Sequence, residues 1–163
     1  MNEMLPYWIL KVERLVINNK ARGWCKLPYP NHPKGCPNYH NITKPKCPPY
    51  ACFIDDIFDF SKSIYIVFSD FDLEKHVKYM KEKHPEWSDR QLRNVLYWQN
   101  KSRKQLRNRV IVAMNLLKTT ASTFAPEANG VNVYATCFLS GLKLEKIKNL
   151  KICHHVALIG FKK

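Results

Sequence analysis

Apolar residues along this chain fall into short dense runs and longer periodic ones. Residues 7–17 (Tyr-Trp-Ile-Leu-Lys-Val-Glu-Arg-Leu-Val-Ile) are rich in β-branched and aromatic side chains and predict a strand. Residues 63–69 (Ser-Ile-Tyr-Ile-Val-Phe-Ser) are almost continuously apolar and predict a buried strand, as do residues 152–161 near the end of the chain. Between them the period lengthens. Asp70 or Asp72 can cap a helix over 73–84, with Leu73, Val77 and Met80 on one face and His84-Pro85 as its stop. Ser88 to Gln91 fits a capping box, with Trp87 and Leu92 at staple positions, and opens a helix over 88–118. Its apolar face carries Leu92, Val95, Leu96, Leu106, Val110, Ala113, Met114 and Leu117. Residues 119–130 read as a loop with a helical turn at Pro126, and Asn132 caps a helix over 133–140 that Gly141 ends.

Strands and helices in this order predict an α+β fold. One domain over 1–163 packs a small β-sheet with helices, with neither repeats nor linkers. Two polar residues interrupt the apolar face of the 88–118 helix, Gln99 near its centre and Arg103 near its edge. An inward polar group needs a partner. A kink or a wet groove would supply one; so would a ligand bound by the amide and the guanidinium, which makes Gln99 and Arg103 candidate site residues.

The run from Cys25 to Cys52 breaks the pattern. It holds four of the six cysteines, most of the prolines, His32 and His40. Proline at this density excludes a helix or a central strand, and an ordered loop of this length needs something to hold it. Thiolates at intervals suggest a metal or cluster.

Composition narrows the class. With 163 residues, 45% hydrophobic and 12% aromatic, the chain is long enough for a real core. A net charge of +14 at pH 7 fits attraction to a polyanion (nucleic acid, an anionic membrane or a phosphorylated small molecule) and fits equally a soluble basic protein with no polyanion partner. No signal peptide or apolar membrane span is evident, so a cytoplasmic protein without membrane contact is expected. In a reducing compartment, clustered cysteines read as metal ligands or catalytic thiols before disulfides.

Cys25, Cys36 and Cys47 are evenly spaced with ten residues between each pair, and Cys52 follows soon after. Structural zinc usually shows close Cys pairs, which are absent here. Single cysteines followed by proline, as in Cys36-Pro37 and Cys47-Pro48, look more like an iron–sulfur loop. A 4Fe–4S cluster is therefore the favoured cofactor and zinc the alternative, with Cys52, His32 or His40 as the fourth ligand or that position open. Cys137 and Cys153 read as small core hydrophobes. His154 and His155 lie on a predicted strand, where neighbours face opposite ways, so at most one reaches a given site. The exposed face of the 88–118 helix, with Arg90, Arg93, Tyr97, Lys101 and Lys104, offers cations beside an aromatic and is the best nucleic-acid candidate.

Two segments carry a family resemblance. Cys36-Pro-Asn-Tyr39 with Cys47-Pro-Pro49 resembles the Cys-Pro-x-Tyr…Cys-Pro-Pro pattern of a family described only as predicted metal-binding proteins. Pro126-Glu-Ala-Asn-Gly-Val-Asn-Val133, with Ala135-Thr136 and Gly141, is similar to that family's Pro-Glu-Ala-x-Gly-Ile-x-Val…Gly block. The resemblance implies a cysteine-bound metal with Cys36 and Cys47 as ligands and Cys25 as the third, and implies that the 126–133 block packs against the metal loop. Ala125 stands where the family usually carries a cysteine, a departure from its pattern.

Two functions from different classes follow. One is an enzyme of sulfur transfer or removal on an anionic or nucleobase-like substrate, using an iron–sulfur centre with an open position. The other is a zinc-stabilised basic module that binds nucleic acid or another macromolecule without catalysis.

Overall fold

The computed structural model describes residues 4–28, 32–145 and 151–163. Its fold is α+β. Tyr65–Phe68 form β2, an inner strand of a four-stranded antiparallel sheet. β2 lies between β1 (Ile9–Lys11) and β6 (Val156–Gly160), and β4 (Ala121–Thr123) closes the far edge in the order β1-β2-β6-β4. Register sets Ile66 opposite Leu158 and Val67 opposite Ala157.

Alternation along a strand explains both cores. Ile66, Phe68 and Leu158 face one side, where they meet Ile54, Phe58, Val131, Val133 and Cys137. Val67, Ala157 and Ile159 face the other, against Leu106, Val110 and Ala113 of helix α4 (Gln99–Leu117). Because both faces are covered, β2 and β6 have no polar side to show, which is why their sequences are continuously apolar. The first face is covered by α1 (Ile54–Ile57) and α5 (Val133–Leu139). A second, two-stranded ladder pairs β3 (Phe71–Asp72) with β5 (Ile152–Cys153).

Helix α2 (Leu73–Lys83) starts where expected, with the Asp72 carboxylate accepting from the Lys75 N–H at 2.9 Å. Asn132 caps α5 in the same way through the Ala135 N–H, and Gly141 follows with φ 99°. The capping box at Ser88 is present, but it opens only α3 (Asp89–Leu92).

Four expectations need correction. The 7–17 strand is only β1. Val12 still donates to the Ile64 carbonyl, but the chain then leaves the sheet, and Val16 and Ile17 pair instead with Asn132 and Val131. The 88–118 helix is three pieces: α3, a 3-10 turn at Val95–Tyr97, and α4. Asn94 causes the break, since its side chain caps the 3-10 turn through the Leu96 N–H at 3.0 Å and competes with helical continuation. The 152–161 strand is interrupted at His154-His155, which lets β5 leave the main sheet for β3. β4 lies in what reads as a loop; it is three residues long and polar, too short to show a period.

Candidate functional site

The cysteine run is built of successive turns tied to the domain from two directions. Cys25 lies in the last turn of a 3-10 helix, Asn19–Lys26. The Cys36 N–H donates to the Cys25 carbonyl at 2.6 Å, which sets the first two cysteines side by side. Gly35 makes that approach possible: its φ is 85°, and a Cβ there would meet the Lys26 carbonyl carbon at 2.6 Å. Cys47 begins another turn, its carbonyl accepting from the Tyr50 and Ala51 N–H groups at 3.0 Å each.

The anchors are Arg22 and Asn129. The Arg22 guanidinium donates to the Pro49 and Ala51 carbonyls at 2.8 Å each and lies 4.0 Å from the Phe53 ring centroid. Asn129 is buried; it donates to the Cys52 carbonyl at 2.7 Å and accepts from the Thr123 hydroxyl at 2.6 Å. Asn129 ends the 3-10 turn Pro126–Asn129, which packs against Asn19–Lys26. Gly130 ties the same elements, its carbonyl accepting from the Asn18 N–H at 2.7 Å. The Pro-Glu-Ala block is thus the floor on which the cysteine run is laid.

Electrostatics identifies what meets there. Burial pushes the Cys25 thiol up, and the charges of Cys36, Cys47 and Glu127 push it further in the same direction. Cys36, Cys47 and Glu127 therefore all lie close enough for their charge to reach the Cys25 thiol. Burial raises the Glu127 carboxyl above the usual carboxylate range. The buried Cys137 thiol is pushed up to about 12 by burial and then by Glu127, so it stays protonated and packs as a small hydrophobe. Among the described residues, no three His, Cys, Asp or Glu side chains are arranged to hold a single metal ion.

On the other side of Glu127 lies a cavity of about 380 Å³. α4 contributes Arg103 and Arg107, α5 contributes Tyr134, and the joint between β5 and β6 contributes Cys153, His154 and His155. Both histidines are fixed through Nδ1. The His154 Nδ1–H donates to the Ser69 carbonyl at 2.7 Å, which sets its tautomer and leaves Nε2 with the free lone pair. His155 Nδ1 is 2.7 Å from the buried Ser102 hydroxyl, itself 2.9 Å from the Ser69 hydroxyl. Burial lowers the His155 pKa, and Arg103 adds to that, so its ring is held neutral. Burial raises the Cys153 thiol to about 11, so at neutral pH it carries a proton.

The structure sorts the candidates. Cys36 is hydrogen-bonded to Cys25 through the backbone, and the charges of Cys36 and Cys47 reach the Cys25 thiol. Cys52 is exposed, its carbonyl held by Asn129, and it is not among the groups whose charge reaches Cys25. His40 is exposed, its ring edge-on to Tyr39 at 4.6 Å, and His32 is half-buried; neither is among those groups. Arg103 lines the cavity, whereas Gln99 is the first residue of α4 and does not. The break in the 88–118 helix distributes the nucleic-acid candidates over three elements. Arg90 and Arg93 flank the end of α3, with Arg93 paired to Asp89 at 3.4 Å. Tyr97 is half-exposed and tilts against Trp87 at 5.3 Å, Trp87 stacks on His84 at 3.9 Å, and Lys101 and Lys104 are exposed on α4.

Glu127 and Arg107 were not candidates from sequence. Glu127 lay in a block singled out only by resemblance. For His154-His155, strand alternation was the wrong rule, because the pair occupies a break between two strands and both side chains line one cavity. No family model, no curated protein and no solved structure matches this chain.

Proposed function

We propose that the chain is a metal-binding protein carrying an iron–sulfur cluster on Cys25, Cys36 and Cys47, and an enzyme acting on an anionic substrate. The carrying observation is that Cys36 lies against Cys25 through a backbone hydrogen bond and that the charges of Cys36, Cys47 and Glu127 all reach the Cys25 thiol. Ionised together they would repel, and a bound cationic centre would turn that repulsion into ligation. The donor set is soft, which suits a cluster, and is half-buried. Cys25, Cys36 and Cys47 would hold such a cluster, and with only three protein thiolates it would supply a Lewis-acidic position for a substrate heteroatom, the chemistry of sulfur transfer or removal.

The chain's own residues would do the rest. Arg22 and Asn129 hold the loop in register, and Arg103 with Arg107 attracts an anion to the cavity beside Glu127. Anaerobic purification followed by a visible absorption spectrum tests the proposal. Cys25→Ser, Cys36→Ser and Cys47→Ser should each lose the cluster absorption, and Cys137→Ala should keep it. A colourless protein, or equal colour in all four variants, removes the basis for the reading.

The His84–Trp87 stack, with Tyr97 tilted against Trp87, supports a second reading, a nucleic-acid-binding module. It requires oligonucleotide affinity that falls steeply with salt and drops on Tyr97→Ala.

A further inference from the structure

The cavity beyond Glu127 has features that the cysteine site does not use. Its volume of about 380 Å³ falls in the range of small-molecule sites. Arg103 and Arg107 stand one helical turn apart on α4, both exposed at its edge. Like charges at that spacing repel. Among the described residues, neither arginine has a carboxylate within ion-pair distance. Among the described residues the carboxylates on the wall are Glu145 and Glu127, and burial biases Glu127 toward its neutral form. The net field is positive, and two guanidinium forks suit a doubly charged phosphate better than a carboxylate.

The remaining walls are aromatic. Phe124 and Tyr134 line the cavity and are 49% and 51% exposed, so each presents an uncovered ring. His154 supplies a fixed acceptor at Nε2, suited to a ligand hydroxyl. Two cations, two ring faces and a hydroxyl acceptor within one cavity match one ligand chemistry.

We propose that this cavity binds a nucleoside monophosphate, its phosphate at Arg103 and Arg107 and its base against Phe124 and Tyr134. As a binding site the cavity stands on its own geometry; as the seat of the substrate it rests on the function proposed above. Glu127 borders the cavity and its charge reaches Cys25, which makes it the residue the two sites share.

Calorimetric titration with adenosine monophosphate, inorganic phosphate and adenosine tests the site. The nucleotide should bind saturably. Arg103→Gln/Arg107→Gln should weaken it at least tenfold, and Phe124→Ala should weaken the nucleotide while leaving inorganic phosphate unchanged. Because the chain is strongly basic, Lys75→Gln/Lys78→Gln serves as the control. It removes the same charge from exposed positions on α2, away from the cavity, and should leave binding intact. Equal losses in the two double variants would reduce the effect to non-specific attraction and overturn the site. So would the absence of saturable nucleotide binding at millimolar concentration, or nucleotide binding that ignores Phe124. Iron and sulfide are assayed on the same samples, so a missing cluster and a missing nucleotide site are read separately.

Discussion

Replacing Gly35 with alanine tests whether the contact between the Cys25 and Cys36 backbones shapes the thiol site. Two costs fall on that position. The first is conformational: at φ 85° a left-handed backbone costs an alanine roughly 1–2 kcal/mol. The second is steric: the new Cβ would lie 2.6 Å from the Lys26 carbonyl carbon and 2.7 Å from its Cα, and against the Cys25 carbonyl oxygen. These are backbone atoms that cannot swing aside, and overpacking of this kind costs about 1–3 kcal/mol. The Cys36-to-Cys25 hydrogen bond at 2.6 Å is strained in the same movement. Two other glycines separate these effects. Gly141 shares the left-handed backbone, with φ 99°, but a Cβ there meets nothing within 4 Å. Gly23 meets nothing either, and its φ lies outside the left-handed range. The expected order of destabilisation in urea is therefore Gly35→Ala at about 2–5 kcal/mol, Gly141→Ala at about 1–2, and Gly23→Ala near zero. If the loop lifts rather than the domain melting, Cys25 and Cys36 become more reactive toward a thiol reagent. A Gly35→Ala protein that matches Gly141→Ala in both urea midpoint and thiol reactivity would show that the close approach plays no part.

Further outcomes follow from other parts of the molecule. Arg109 donates to Asp70 at 2.8 Å and to the Phe68 carbonyl at 2.9 Å, and Tyr7 bonds the other Asp70 oxygen. Arg109→Met should cost roughly 1–3 kcal/mol in denaturant titration, and adding Asp70→Asn should cost less than the sum of the two single changes; strict additivity would deny the coupling. His155 and His76 are both held below the ordinary histidine pKa, chiefly by burial. Their contribution to stability is present above the unfolded histidine pKa of about 6.5 and is lost as pH falls through the folded values. The urea midpoint should drop between pH 7.5 and 5, less so in His155→Gln, and a flat or rising midpoint would contradict the sign. Cys52→Ser should retain whatever metal the wild type holds, since the Cys52 thiol is exposed and outside the field at Cys25; loss equal to that of Cys47→Ser would make it the fourth ligand.

Periodicity carried most of the fold. The runs 63–69 and 152–161 showed buried strands because both faces of the sheet are covered, and capping at Asp72 and Asn132 marked the starts of α2 and α5. What escaped was decided by distant partners. Val16 and Ile17 look like strand continuation, yet they pair with Asn132 and Val131, more than a hundred residues away. Asn94 ends a helix by a local side-chain bond that the apolar period of its neighbours conceals. The thiol trio was visible as even spacing, and Arg103 as an interruption of an apolar face. Glu127 was not, because nothing in its own neighbourhood says that Cys25, about a hundred residues earlier, lies beside it. The paired histidines were assigned to opposite faces by a strand rule that fails at the gap between β5 and β6.

The central claim is that Cys25, Cys36 and Cys47 hold a cluster with one open position. The most direct test is the content of iron, acid-labile sulfide and zinc per chain after strictly anaerobic purification. A three-thiolate cubane requires about four iron and four sulfide per chain. Stoichiometric zinc with neither iron nor sulfide would contradict the claim.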